Sequence, residues 1–312
     1  MENLLLSFNV VFPMFVLLAV GFLMKKLGLL GKGLAGGINK LIFNLFIPVL
    51  IFKNIIDADL STAFSWPLLG YSIAGSTAIF VLAMLIIPHM ERDNRRRGAI
   101  AVAMFRSNFI IYGMPFATGL YGDTAGAMLS MLTALVVPLA SAYSVFALEY
   151  YHTGKPKARD IAVNIIKNPY IVSSFFGFAV LLTGWELPHA LASPISSIAQ
   201  VASPLALIVL GSTFAFSNIA AYKKYIVSCS AARLILVPGV FVTIAILLGF
   251  RNAELVTLMA LFATPPATSS YVMTRQLGGD DELMSQLVVF ITLISIFTVF
   301  LWIWALKTLA FI

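Results

Sequence analysis

Two arginines, an asparagine and a group of hydroxyls fall inside stretches that are otherwise apolar enough to lie in a membrane. Arg106, Ser107 and Asn108 interrupt one such stretch, Thr264, Pro265, Pro266, Thr268, Ser269 and Ser270 interrupt another, and Arg233 sits inside a third. Two consecutive prolines remove two amide donors and clash with the preceding turn, so a helix cannot pass residues 265–266 unbroken. Within a bilayer an open backbone persists only where protein or a watered cavity covers it. A half-helix that begins at such a break presents free amides and the positive end of its dipole, a ready site for a carboxylate. Arg106 and Arg233 would add full positive charge. Asn108 is a ligand contact or a cap of the half-helix, and the hydroxyls ligate or bond back to their own helix carbonyls. The chemistry this set favours is the binding of a small anion. Counted at ~1.5 Å per residue, both arginines lie roughly 12 to 14 Å deep, where an unpaired charge costs at least ~2.5 kcal/mol. Either one or both attract an anionic substrate or hold the carbonyls of the crossover, or Arg106 snorkels or bonds to exposed carbonyls at the break while Arg233 is a fixed structural cation. Whether a metal is held is open; a sodium ion would sit near Asn108, Thr264 and Ser270.

The two interruptions correspond to one another. A shift of 157 residues places Phe105 on Phe262, Asn108 on Pro265, and Gly122-Asp123 on Gly279-Asp280. A shift of 156 places Pro13 on Pro169, Gly21 on Gly177 and Pro48 on Pro204. Both are about half of the 312-residue chain, and a nearly constant offset implies an internal duplication. Broken helices in corresponding halves mark the binding site of a transporter. At the same offset Asn44 and Gln200 coincide; they face the substrate from the other side or bond between helices.

The elements that position these residues must be membrane spans. The chain is 60% hydrophobic and 11% charged, with a mean hydropathy of +0.97, beyond what soluble domains show. The single cysteine, Cys229, excludes an intrachain disulfide or a cysteine-cluster metal site. The net charge of +7 does not imply nucleic acid, because the basic residues lie in short connections where topology accounts for them. Ten spans are expected, at roughly 4–24, 34–56, 66–88, 98–121, 125–150, 169–186, 195–217, 225–249, 253–276 and 283–308. The first lacks the features of a cleaved signal peptide. Residues 152–168 form the longest polar connection and divide a first five-helix repeat, 1–151, from a second, 169–312.

Connections after spans one, three, five and seven carry Lys25, Lys26, Lys32, Arg92, Arg95, Arg96, Arg97, Lys155, Lys157, Arg159, Lys167, Lys223 and Lys224. The opposite connections carry mainly Lys53 and Arg251, beside Asp57, Asp59, Asp123, Glu186 and Glu254. The first set is cytoplasmic by the positive-inside rule, which puts both termini outside. The turn at Asp280, Asp281 and Glu282 fits this least well, but acidic residues weigh little in the rule. An odd number of spans per repeat makes the repeat inverted, with spans four and nine crossing.

Asn44-Leu-Phe-Ile-Pro-Val-Leu-Ile-Phe52, Ser107-Asn-Phe-Ile-Ile-Tyr-Gly-Met-Pro115 with Leu120-Tyr-Gly-Asp123, Ser203-Pro-Leu-Ala-Leu-Ile-Val-Leu-Gly211 and Thr264-Pro-Pro-Ala-Thr-Ser-Ser-Tyr271 resemble the auxin efflux carrier family over essentially the whole chain. The family includes plant auxin exporters and bacterial members described as malonate or other organic-acid carriers, and shares its broken-helix architecture with bile-acid and sodium symporters. The resemblance implies a scaffold of spans one, two, six and seven. It implies a mobile transport domain of spans three to five and eight to ten, moving as an elevator. Asn108 matches the polar crossover residue of span four, and Pro265 or Pro266 the crossover proline of span nine. The third span departs from the plant exporters, with Ser72, Ser76 and Thr77 and no acidic residue.

The expectation is an all-α polytopic transporter that moves a small organic anion, malonate-like or auxin-like, by alternating access. Its contacts would come from Asn108, Arg106, Ser107, Pro265, Pro266, Thr264, Thr268, Ser269, Arg233 and Asn44. The alternatives are a sodium- or proton-coupled symporter of the bile-acid type and a ligand sensor on a transporter fold. The Gly-Gly-Asp at 278–280 only superficially resembles an intramembrane aspartyl protease motif, since Asp123 and Asp280 fall at opposite membrane faces. No zinc-protease, nucleophile-elbow or phosphate-loop motif is present. No enzyme activity, cofactor or nucleic-acid partner is expected. Membrane lipids are, in a plasma membrane such as the bacterial inner membrane, and a homodimer is among the assemblies open to the chain.

Overall fold

The computed structural model describes residues 2–57, 65–153, 163, 166–167, 169–185, 187–213 and 219–312. Most of the expected linker at 152–168, with Lys155, Lys157 and Arg159, lies outside the described residues, as do Asp59, Glu186 and the side chain of Asp123. Among the described residues every regular element is a helix. Helix α1 is Glu2–Lys26. Helix α2, Lys32–Leu41, continues through a π-helical turn at Ile42–Phe46 into α3, Ile47–Ile56. Helix α4 is Trp66–Met90. Helix α5, Asn94–Phe105, is followed by an extended Arg106 and a π-helical turn at Phe109–Gly113 that opens α6, Met114–Thr153. Helices α7, Pro169–Thr183, and α8, His189–Thr213, come next. Helix α9, Ile219–Ala231, passes through a third π-helical turn at Ala232–Leu236 into α10, Val237–Leu247. Helix α11, Asn252–Phe262, stops at the double proline and α12, Ser269–Gln276, resumes beyond it. Helix α13 is Asp281–Thr308.

Among the described residues six helical runs are long and apolar enough to cross a membrane, and Pro169–Thr183 and Asn252–Phe262 are shorter apolar helices. The chain is a polytopic all-α membrane protein, because in hydrocarbon the helix satisfies its own backbone. The expected boundary between residues 121 and 125 falls on a kink inside α6, where Tyr121 leaves helical geometry and Gly122 takes a φ of 56°. That angle lies in the left-handed region that glycine tolerates.

Each π-helical turn ends two residues before a proline, at Pro48, Pro115 and Pro238. A proline lacks the amide for the usual backbone bond, and a widened turn upstream accommodates the loss.

Two tight packings fix the frame. Helices α1 and α8 cross at paired glycines: a Cβ on Gly21 would lie 1.8 Å from the Ile208 carbonyl oxygen, and one on Gly211 2.1 Å from that of Leu18. Only glycine permits this approach. Elsewhere the residues ending the two interrupted helices are clasped by aromatic rings. Phe105 meets Phe80 edge-on at 5.3 Å, and Phe80 stacks on Tyr143 at 4.3 Å. Phe262 stacks on Phe241 at 5.1 Å and meets Tyr71 edge-on at 6.0 Å. Helix α5 is buried from Gly98 to Phe105 and α11 along almost its whole length, so the interrupted helices are packed within the molecule.

A charged network closes one end. The Tyr225 hydroxyl donates to Glu91, whose carboxylate also accepts from the Arg92 and Asp93 amides. Arg96 reaches Tyr225 and pairs with Asp280 at 3.4 Å, and Arg95 donates to the Gly278 and Gly279 carbonyls. The loop after α4, the middle of α9 and the turn before α13 are thereby tied together.

Candidate functional site

The two interruptions meet. The Asn108 amide donates to the Pro265 carbonyl at 2.9 Å and the Ala267 amide to the Arg106 carbonyl at 3.0 Å, an antiparallel bridge centred on Ser107 and Pro266. Ser107 and Thr264, 157 residues apart, join hydroxyls at 2.6 Å. Thr264 gives its only hydroxyl proton to the Ala260 carbonyl at 2.8 Å, which makes Ser107 the donor in the pair. The prolines contribute no amide, and the bridge uses the carbonyl of Pro265 instead.

Helices α5 and α11 both end here and leave carbonyls without partners. Arg233 supplies them. Its Nη1 donates to Met104 O at 2.8 Å, its Nε to Thr264 O at 3.0 Å and its Nη2 to Leu261 O at 3.3 Å. A wholly buried cation therefore sits at the negative ends of two helix dipoles. Its place in the π-helical turn of residues 232–236 aims it at both helices at once.

Arg106 is held differently. It is buried, at 4% exposure, and among the described residues the hydrogen-bond partners of its guanidinium are hydroxyls. Nε and Nη2 donate to Ser269 at 3.3 and 3.1 Å, and Nη1 donates to Ser141 at 3.3 Å and Ser144 at 3.2 Å. The Tyr170 ring lies 5.5 Å from the guanidinium carbon. Among the described residues no carboxylate pairs with it. Neutral partners orient the charge without cancelling it.

Arg106 opens on a cavity of about 60 Å³. One wall is the meeting of the two breaks, with Arg106, Ser107, Asn108, Phe109, Ala267, Thr268 and Ser269. The facing wall is Ile47, Leu50 and Ile51 of α3 with Ala202, Ser203 and Ala206 of α8, and Val136, Val137 and Ala140 of α6 complete it. Asn108 is buried, and its Nδ2 has no hydrogen-bond partner among the described residues. The wholly buried Ser270 hydroxyl has none either. A buried donor without a partner costs about 1–3 kcal/mol, a cost that a ligand accepting from Asn108 would remove.

Of the residues singled out by sequence, Arg106, Ser107, Asn108, Thr268 and Ser269 line this cavity. Thr264, Pro265 and Pro266 build the bridge beneath it, Arg233 stands behind them on the carbonyls, and Ser270 is buried in α12. Asn44 does not join the cavity lining; its exposed side chain donates to the Lys40 carbonyl of its own helix at 2.8 Å, and Gln200 is exposed too. The sequence reading passed over Ser141, Ser144 and Tyr170. Two serines three residues apart on one face of an apolar helix were the available signal for the first pair.

The family model described as membrane transport protein matches residues 6–159 and 155–303. The chain is 26% identical over 298 residues to the "Putative malonate transporter" of Rhizobium meliloti, covering 93% of each. It is 24% identical over 300 residues to an uncharacterized transporter of Methanothermobacter thermautotrophicus, covering 95% of this chain and 97% of the relative. To an uncharacterized transporter of Methanocaldococcus jannaschii it is 21% identical over 314 residues, covering 97% and 99%.

Proposed function

The chain belongs to the membrane transport protein family, and on that premise we propose that it is a secondary carrier of a small organic anion, bound where the two broken helices meet. The observation that carries this reading is the pairing of a buried, uncompensated Arg106 with an unpartnered Asn108 Nδ2 on one cavity wall. An entering carboxylate supplies the missing charge and accepts from both. Arg106, Ser107, Asn108, Thr268 and Ser269 then contact substrate, while Thr264, Pro265, Pro266 and Arg233 hold the bridge that places them.

The same reading takes the chain as ten spans in two inverted five-helix repeats, with both termini outside. Its support is the join between Ser107 and Thr264 and between Asn108 and Pro265, each pair one repeat offset apart. The cavity lies between α3 and α8 of the scaffold and the broken helices of the transport domain. An elevator cycle carries the second past the first. The cross-braced α1–α8 crossing suits a fixed scaffold.

The name of the Rhizobium meliloti relative suggests malonate. The cavity holds one cation among mainly apolar residues, so a monocarboxylate with an apolar body fits it as well. A sodium- or proton-coupled cycle is the second reading, and the buried, unpartnered Ser270 hydroxyl is the observation in its favour.

The test is counterflow of labelled malonate in proteoliposomes, with unlabelled mono- and dicarboxylates as competitors and sodium and proton gradients imposed separately. Saturable flux that carboxylates suppress and neutral analogues leave alone is expected. Flux insensitive to every carboxylate would refute the anion assignment. A response to one gradient names the coupling ion, and flux indifferent to both makes the protein a uniporter.

A further inference from the structure

We propose a second site, for an anionic membrane phospholipid, in the groove between α4 and the α9–α10 segment, with one acyl chain in the groove and the headgroup phosphate on Lys224. The groove holds about 410 Å³ and is apolar along its length, with Glu91, Lys224 and Tyr225 gathered at one end. That end lies where α4 finishes at Met90 and the charged network begins. From Met90 to Ile79, the α4 wall is ~17 Å long at 1.5 Å per residue. One leaflet of the hydrocarbon core is ~15 Å deep, so the groove takes a single acyl chain from the interface inward.

Between the rims the lining is of small residues, Ala83 of α4 with Cys229 and Ala232. Leu82 and Ile86 of one rim are 49% and 50% exposed, and Leu236 and Val240 of the other are 63% and 52% exposed. Such walls accept methylene groups and offer nothing polar. The charges at the mouth choose the headgroup. Glu91 already accepts from Tyr225 and two amides. Lys224 is exposed and forms no ion pair among the described residues. A basic residue at the interface end of an apolar groove favours a phosphate-bearing anionic lipid over a zwitterionic one.

The groove also reaches the site's support. Met104 lines it, and the Met104 carbonyl is one of the three that Arg233 holds. A bound chain braces α4 against α10 around that node, so lipid occupancy raises the melting temperature.

The experiment uses the purified full chain, delipidated in detergent and offered phosphatidylglycerol or phosphatidylcholine with identical acyl chains. Native mass spectrometry reads retention, and thermal unfolding reads stabilisation. One retained phosphatidylglycerol, preferred about fivefold over phosphatidylcholine, is expected from a single lysine at the interface. Lys224→Glu removes the preference; Lys223→Glu, on the same helix and outside the groove lining, keeps it. Ser228→Trp fills the groove from an exposed position and removes retention of both lipids. Equal retention of the two lipids by the wild type would overturn the proposal, as would a preference surviving Lys224→Glu or retention surviving Ser228→Trp. Occupancy by detergent alone, with neither phospholipid retained, would overturn it too.

Discussion

Two buried guanidiniums lie within one site and do opposite work. Arg233 spends its donors on three backbone carbonyls, which makes it part of the frame. Arg106 rests on three serines, and among the described residues no carboxylate pairs with it. Substituting Arg233→Gln should therefore cost stability, about 3 kcal/mol or more, because buried carbonyls lose charged partners. Thermal unfolding in detergent checks this, and an unchanged melting temperature would remove the framing role. Asn108→Ala behaves in the other way. The Asn108 side-chain nitrogen has no partner to lose, so melting should hold within ~1 kcal/mol while transport falls at least about tenfold, as loss of one ligand hydrogen bond predicts. Equal loss of folded protein and of flux would make Asn108 structural. Sequence alone located both arginines but could not divide their roles. The carbonyls at Met104, Leu261 and Thr264 and the hydroxyls at Ser141, Ser144 and Ser269 come from elements far apart in the chain.

At the scale of elements, apolar run length and proline position made most helices legible. The runs around 66–88 and 283–308 correspond to α4, Trp66–Met90, and α13, Asp281–Thr308. The break at Pro265-Pro266 follows from the missing amides. The π-helical turns did not emerge from the sequence, although a proline follows each by two residues. Pro138 and Pro204 lie in α6 and α8 without such a turn, so proline alone does not decide it. The α1–α8 crossing yields a sharper test. Gly21→Ala or Gly211→Ala must separate two backbones and should cost about 1–3 kcal/mol, whereas Gly37→Ala, with open space around its Cβ, is the control. Equal melting of all three proteins would contradict the close crossing. The charged network gives a pH prediction. Burial alone would raise the Glu91 carboxyl, but hydrogen bonds from the Asp93 amide, the Tyr225 hydroxyl and the Arg92 amide, with Arg96 nearby, outweigh it and hold the carboxyl below its ordinary value. A depressed folded pKa means stability that is present above the unfolded value of ~4.3 and lost as pH falls through the folded one. The wild type should melt above Glu91→Gln at pH 7, and the gap should close as the pH drops below ~4. A gap independent of pH would exclude the carboxylate as its source.

Across the whole molecule, the two helix interruptions meet at one place and differ in charge. Under the 157-residue offset Ser107 meets Thr264 and Asn108 meets Pro265, while Arg106 corresponds to Ala263. To the cavity wall the first interruption brings Arg106, Ser107 and Asn108, and the second brings Ala267, Thr268 and Ser269. Membership in a transport family and an all-helical membrane architecture were readable from composition and motifs. The cavity was not, because its far wall comes from α3 and α8, whose Ile47, Leu50, Ala202 and Ala206 look like ordinary membrane residues. The central claim is that the cavity beside Arg106 binds the transported anion. Its most direct test is labelled carboxylate flux in proteoliposomes carrying equal amounts of folded wild type, Arg106→Lys and Arg106→Gln. The account predicts saturable flux in the wild type, partial flux with weakened apparent affinity in Arg106→Lys, and flux near the protein-free background in Arg106→Gln. Wild-type flux from folded Arg106→Gln would contradict it.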